Sequence, residues 1–84
     1  MNTESIECRK VKFGEMQKPG DFCYDDEHHM LYIWLPGQSG PDCVSIRSGE
    51  WTWDGNEEQP TVTPSIHAVG RWHGWLRAGR LVSC

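Results

Sequence analysis

Met30-Leu31-Tyr32-Ile33-Trp34-Leu35 decides how this chain folds. Met30, Tyr32 and Trp34 alternate with Leu31, Ile33 and Leu35, and both sets are apolar, so the stretch is predicted to be a central strand covered on both faces. Towards the N-terminus, Phe22-Cys23-Tyr24 begins a second extended element, which the polar run from Asp25 to His29 interrupts. Lys18-Pro19-Gly20-Asp21 before it is a turn, with Pro presetting φ and Gly supplying a positive φ. Val11-Lys12-Phe13 is predicted as the first strand. Towards the C-terminus, residues 36–41 form an exposed loop and Cys43-Val44-Ser45-Ile46-Arg47 a half-buried strand. Trp51 and Trp53 share a face about Thr52, and Asp54-Gly55-Asn56 turns the chain. Pro60 and Pro64 lack the amide hydrogen of a central ladder, which puts residues 61–66 at a sheet edge or in an irregular crossing.

Residues 72–84 form a hairpin around Arg77-Ala78-Gly79-Arg80, with two registers open. A two-residue Ala78-Gly79 loop sets Leu76 against Leu81, Gly74 against Ser83 and His73 against Cys84. A three-residue loop with Gly79 left-handed spares Ala78 a positive φ, is the less strained, and moves His73 opposite Ser83.

Nine Gly and five Pro punctuate the 84 residues, and helical periodicity is missing almost throughout. The expectation is a mainly β fold: a small antiparallel sheet, sandwich or partly open barrel, with residues 1–84 as a single domain. A chain this short buries only about 60% of its unfolded surface. Its five Trp, two Phe and two Tyr offset part of that deficit, and their surplus points to a homo-oligomer. No apolar run approaches the ~20 residues of a membrane span. The start has no signal-peptide pattern, so Cys8, Cys23, Cys43 and Cys84 are expected as reduced thiols of a cytoplasmic protein.

Net charge is -4. Residues 1–42 hold eight acids against four bases, whereas residues 67–84 hold three Arg, two His and no acid. That distribution speaks against a general nucleic-acid binder but lets the C-terminal segment meet a small anion.

Two constellations stand out in that segment. Trp72 and Trp75 lie close in sequence to Arg71, Arg77 and Arg80, a composition suited to a binding surface that grips a protein hot spot or stacks a base. The plainer reading, slightly favoured, packs the tryptophans in the core and leaves the arginines solvated. His73, Cys84, Cys43 and His29 are the candidate ligands of a zinc ion, with His28 and Cys23 as substitutes. None has the local ligand spacing of a zinc motif, so the fold would have to assemble the site. A Cys–His nucleophile pair lacks an oxyanion hole and a third orienting group, and no residue is assigned as catalytic. Asp25-Asp26-Glu27 lacks the alternation of a calcium loop, and Gly37-Gln38-Ser39-Gly40 lacks the Lys of a phosphate loop.

The runs Trp51-Thr52-Trp53-Asp54-Gly55-Asn56, Pro60-Thr61-Val62-Thr63-Pro64-Ser65-Ile66 and Gly70-Arg71-Trp72-His73-Gly74-Trp75-Leu76, with Gly79 and Cys84, resemble a family of small phage-encoded proteins of uncharacterised function. Some carry the label ammonia monooxygenase, which nothing in the residues supports. The resemblance covers roughly residues 30–84, and Lys18-Pro19-Gly20-Asp21 also fits. Wider relatives have a Cys-Pro-Gly-Cys segment and a Cys-His pair, a zinc-like pattern. Here the corresponding positions read Leu35-Pro36-Gly37-Gln38 and Trp72-His73, so only His73 and Cys84 match. The resemblance supplies no activity but implies a phage accessory protein in the cytoplasm of an infected bacterium; the Trp–Arg hairpin points to a non-enzymatic module that binds a host protein or small anionic ligand, and the lifestyle of phage genes to an anti-defence role. The alternatives are a small zinc-stabilised structural module and a cysteine- or metal-dependent hydrolase.

Overall fold

The computed structural model describes residues 5–84. Nine strands are described: β1 (Ser5–Glu7), β2 (Arg9–Lys10), β3 (Asp21–Asp25), β4 (Met30–Ile33), β5 (Asp42–Ser45), β6 (Thr52–Trp53), β7 (Val62–Ala68), β8 (Trp72–Arg77) and β9 (Arg80–Ser83). They build two sheets, an antiparallel one in the order β1-β9-β8-β7-β6 and a smaller one in the order β2-β3-β4-β5. In the smaller sheet β2 runs parallel to β3, and the other pairs are antiparallel. The mainly β expectation holds, as two open sheets and no closed barrel. Among the described residues no helix is long and apolar enough to cross a membrane.

The sheets meet through one apolar cluster. Phe22, Leu31, Ile33, Leu35 and Val44 come from the smaller sheet and its margin, and Val62, Ile66, Leu76 and Leu81 from the larger. Tyr24 on β3 and Trp53 on β6 stack across the junction with ring centroids 4.3 Å apart. β4 does lie between two strands, but only one of its faces is fully covered. Leu31, Ile33 and Leu35 are 0% exposed, whereas Met30, Tyr32 and Trp34 are half-buried. Two thin sheets have one shared interior, and the outer face of each meets solvent.

Val11-Lys12-Phe13 is not a strand. Phe13 opens a 3-10 turn, Phe13–Glu15, with its ring 55% exposed and edge-on to Tyr32 at 5.0 Å. The extended pairing falls two residues earlier, on Arg9 and Lys10 beside Asp21 and Phe22. The C-terminal hairpin takes the two-residue loop: Leu76 faces Leu81 and Gly74 faces Ser83, with Ala78 at φ 46 and Gly79 at φ 78. Two successive positive φ values give a turn whose twist matches that of the flanking strands. The Ala78 amide is held by Thr61 Oγ1 at 2.9 Å, and that of Gly79 by the Pro60 carbonyl at 2.9 Å.

Gly74 is required for a different reason. A Cβ there would run into the Val82 carbonyl and the six-membered ring of Trp72. Trp72 lies over this glycine and donates its indole N–H to Ser83 Oγ at 3.1 Å.

Asp21 ties the smaller sheet together. Its buried carboxylate accepts from Arg9 at 2.8 and 3.1 Å and from the Gln17 and Lys18 amides at 2.8 and 3.3 Å. Burial opposes ionisation, but the Arg9 guanidinium and the two amides outweigh it and hold the carboxyl below its usual range. A depressed carboxyl contributes stability that is present above the unfolded-state value of about 4 and lost as pH falls through the lower folded value. Asp21→Ala is expected to cost about 2–3 kcal/mol in urea unfolding at pH 7, with the difference from wild type shrinking below about pH 4.

Candidate functional site

β7 and β8 are joined by a tight turn at Val69-Gly70-Arg71, where the Arg71 amide reaches the Ala68 carbonyl at 2.8 Å and Gly70 takes φ 76. The hairpin sets Ile66 opposite Gly74, His67 opposite His73 and Ala68 opposite Trp72. Beyond Ile66 the register slips: Val62 pairs with Leu76, so Thr63, Pro64 and Ser65 span the length that Trp75 alone occupies on β8. A bulge of this kind bends the strand and re-aims its side chains. Here it accommodates Pro64, which has no amide hydrogen to give.

Sequence expectation put residues 61–66 at an edge or in an irregular crossing. The irregularity is this bulge, and β6 borders only Val62 and Thr63.

The bulge brings Ser65 to an imidazole. Ser65 Oγ lies 3.2 Å from His73 Nε2, and the Ser65 carbonyl is held by the Trp51 indole N–H at 3.2 Å. Other serine hydroxyls have different partners: Ser83 takes the Trp72 indole, Ser5 the Arg80 guanidinium, and Ser48 donates to Glu50. His67 stacks on His73 with centroids 4.6 Å apart and planes at 32°. On the other flank Trp75 follows at 6.2 Å, and the Arg77 guanidinium sits 4.8 Å over the Trp75 ring. Strand alternation explains the row, since residues 73, 75 and 77 of β8 share its solvent face.

Chemically this is a hydroxyl next to a proton acceptor. With Nδ1 carrying the ring proton, Nε2 is free to take the hydroxyl proton as oxygen attacks a carbonyl. Among the described residues His73 makes no hydrogen bond to a carboxylate, so its orientation rests on Ser65 and on the His67 ring.

The expected Trp–Arg surface divides between two faces. Trp75, Arg77 and Arg80 belong to the outer side, where Arg80 meets Ser5 at 3.1 and 3.2 Å. Trp72 turns inward over Gly74, and Arg71 bridges to Asp42 of the other sheet at 2.9 Å.

The four expected zinc ligands are not brought together either. His73 and Cys84 are neighbours, with the Cys84 amide on the His73 carbonyl at 2.9 Å. Cys43 lies on β5 with its sulfur 3.4 Å from that of Met30, and His29 faces the Tyr24 hydroxyl at 3.1 Å. His28 pairs with Asp25 at 2.8 Å, and Cys23 faces outward on β3. Among the described residues no group of three or more His, Cys, Asp or Glu is disposed to hold a metal ion.

A depression of about 440 Å³ lined by Phe13, Cys23, Tyr24, Asp25 and Tyr32 lies on the smaller-sheet side and includes no residue of β7 or β8.

A serine hydroxyl at hydrogen-bond distance from an imidazole is one part of the machinery of serine-dependent hydrolases. Residues 9–84 match the family model described as bacterial ubiquitination-like system serine protease (BubE). The chain belongs to that family. Comparison with curated proteins and with solved structures finds no match. The family overturns the expectation of a non-enzymatic phage accessory protein with an anti-defence role, because it is a protease family of a bacterial system.

Sequence reading singled out His73 but missed Ser65. The available signal was Gly70, whose turn makes Ser65, His67 and His73 neighbours.

The family's chemistry also changes how the cysteines are viewed. All four thiols are free. Burial pushes the Cys8 thiol up to about 12 and raises those of Cys23 and Cys43. At pH 8, Cys8 is expected to react with iodoacetamide about two to three orders of magnitude more slowly than an unstructured peptide cysteine, read by mass spectrometry over time.

Proposed function

We propose that this protein is a serine peptidase of a bacterial ubiquitination-like system, with Ser65 as nucleophile and His73 as general base. The observation that carries the proposal is the 3.2 Å approach of Ser65 Oγ to His73 Nε2 in a chain of a serine protease family. As the oxygen bonds to the substrate carbonyl carbon, its proton passes to His73 Nε2. Collapse of the tetrahedral intermediate breaks the C–N bond, and His73 returns the proton to the departing amine. Water, deprotonated by the same nitrogen, then releases the acyl group and restores Ser65.

The strand edge supports an extended polypeptide as substrate. From Ile66 to Ala68, β7 has β8 on one side and no strand on the other among the described residues. Such an edge accepts a peptide by strand addition.

A fluorophosphonate probe tests the nucleophile directly, because it requires an activated serine and no knowledge of the substrate. The wild-type protein is expected to gain one adduct, mapped to Ser65 by tandem mass spectrometry, and Ser65→Ala to gain none. His73→Ala should slow labelling by about 10²- to 10⁴-fold. An adduct on another residue, or undiminished labelling of Ser65→Ala, sinks the proposal.

His67 is a positioning residue in this scheme. His67→Ala should slow labelling about three- to tenfold, and His67→Phe, which keeps a flat ring against His73, should recover most of the rate.

A further inference from the structure

We infer that the outer face of β8 and β9 docks an acidic segment of the polypeptide substrate, with Arg77 and Arg80 holding its carboxylates on either side of Val82. This rests on the peptidase reading above and names its substrate class.

Strand pairing lays that face out in rows. Trp75 of β8 lies opposite Val82 of β9, which lies opposite Ser5 of β1. In the next row, towards the hairpin loop, Arg77 lies opposite Arg80, and Arg80 opposite Glu7. Like charges directly opposite one another repel. Both guanidiniums leave their own row for the first one: Arg77 sits 4.8 Å over the Trp75 ring, and Arg80 reaches Ser5 Oγ at 3.1 and 3.2 Å. They therefore stand over strands two spacings, roughly 10 Å, apart, with the half-buried Val82 between them.

The charge on this face is uncompensated. Among the described residues neither Arg77 nor Arg80 forms an ion pair, with Glu7 or with any other acid, whereas Arg9, Lys10 and Arg71 each do. The twelve acids of the chain all fall in residues 1–58, so β7, β8 and β9 bring none of their own. A cation resting on an indole and another held by a neutral hydroxyl keep their full charge for an incoming anion. The planar guanidinium fork suits a carboxylate, and Val82 gives the stem of a glutamate an apolar seat. Two cations on a chain of net charge -4 are too few for the phosphate backbone of a nucleic acid.

The face is continuous with the Ser–His pair. The Trp75 ring lies 6.2 Å from that of His73, whose Nε2 is 3.2 Å from Ser65 Oγ. A peptide on the open Ile66–Ala68 edge, extended towards Val62, runs into β6, which borders Val62 and Thr63. The inner side is filled by the core, so the chain must pass over the outer face. Leu76 and Arg77 of β8 lie at that end of β7, because Val62 pairs with Leu76. Trp75 is two residues, about 7 Å, along β8 from His73, so acids two to four residues from the scissile bond reach the arginines.

Peptide charge provides the test. Three fluorescein-labelled twelve-residue Gly-Ser peptides, with three central Glu, Gln or Lys residues, are titrated with Ser65→Ala protein and followed by fluorescence anisotropy. At 50 mM salt the Glu peptide should bind at least about fivefold tighter than the Gln peptide and the Lys peptide most weakly, and at 0.5 M salt Glu and Gln should fall within about twofold. Arg77→Gln together with Arg80→Gln should also bring Glu and Gln within about twofold. On wild-type protein the unlabelled Glu peptide should protect Ser65 from the fluorophosphonate at about a fivefold lower concentration than the Gln peptide.

A Gln or Lys peptide that matches Glu at low salt overturns the docking site, and that comparison needs no arginine variant to fold. So does a thymidine tetranucleotide, with the same three charges, that displaces the Glu peptide at a lower concentration than unlabelled Glu peptide does. A Glu preference in anisotropy without protection of Ser65 removes the substrate role. Each of these outcomes leaves the nucleophile assignment intact. Failure of the fluorophosphonate to label wild-type Ser65 removes the peptidase reading, and the substrate role of this face with it.

Discussion

The anchoring of β7 by Val62 and Ile66 is the constraint on which the site depends. Both side chains are buried in the core shared by the two sheets, and each contributes on the order of 1.5–3 kcal/mol by leaving water. Each also has a fixed partner on β8, Val62 opposite Leu76 and Ile66 opposite Gly74. Three residues must then span a length that one residue spans on the neighbouring strand. The excess chain is pushed out of the ladder, and Ser65 leaves the bulge next to His73. The hydroxyl–imidazole approach is thus a consequence of core packing: the apolar residues fix the two ends, and the chain length between them sets the geometry.

The same core explains what the sequence reveals and what it hides. The strand at Met30–Ile33 is legible because alternation and hydrophobicity agree there. Burial on its second face is not, because Met30, Tyr32 and Trp34 are apolar for a different reason. Tyr32 receives the edge of Phe13, and Trp34 spends its indole N–H on the Gln38 carbonyl at 2.8 Å. Large amphipathic side chains can cover an outer face without a second sheet. The turn at Lys18–Asp21 was legible because Pro and Gly stand together there, whereas the turn at Gly70, with φ 76, was not read. Ala78 deceived because its positive φ is held by Thr61 and Gln59-side backbone packing around Gly79, partners distant in sequence.

The site was less legible than the fold, since Ser65 is one of several serines and nothing in its own neighbourhood marks it. Its distinction comes from the Val69–Arg71 turn, which folds β8 back on β7, and from a register slip that no period-two pattern contains. The Trp–Arg surface failed as one unit for a related reason. Gly74 leaves room for the Trp72 ring on the inner face, so Trp72 and Trp75, three residues apart, end on opposite sides of the sheet. Arg71 stands at the turn and is drawn across to Asp42 of the smaller sheet.

That cross-sheet pair gives the open face a chemical asymmetry. On one side of Ser65 lies the row His73, Trp75 and Arg77, flat rings and a cation stacked in succession on a rigid strand. Between β5 and β7 lies a recess whose lining mixes apolar Leu35, Val44, Ile66 and Ala68 with Asp42, His67 and Arg71. A Ser–His pair on an open sheet is a weak nucleophile while water competes for both groups, because a solvated hydroxyl has little reason to give up its proton. In the proposed reading, an extended peptide laid along β7 displaces that water. The dielectric around the pair then falls, and the 3.2 Å separation is one that binding can shorten. On this argument the protein supplies the pair and its alignment, and the substrate supplies the lid.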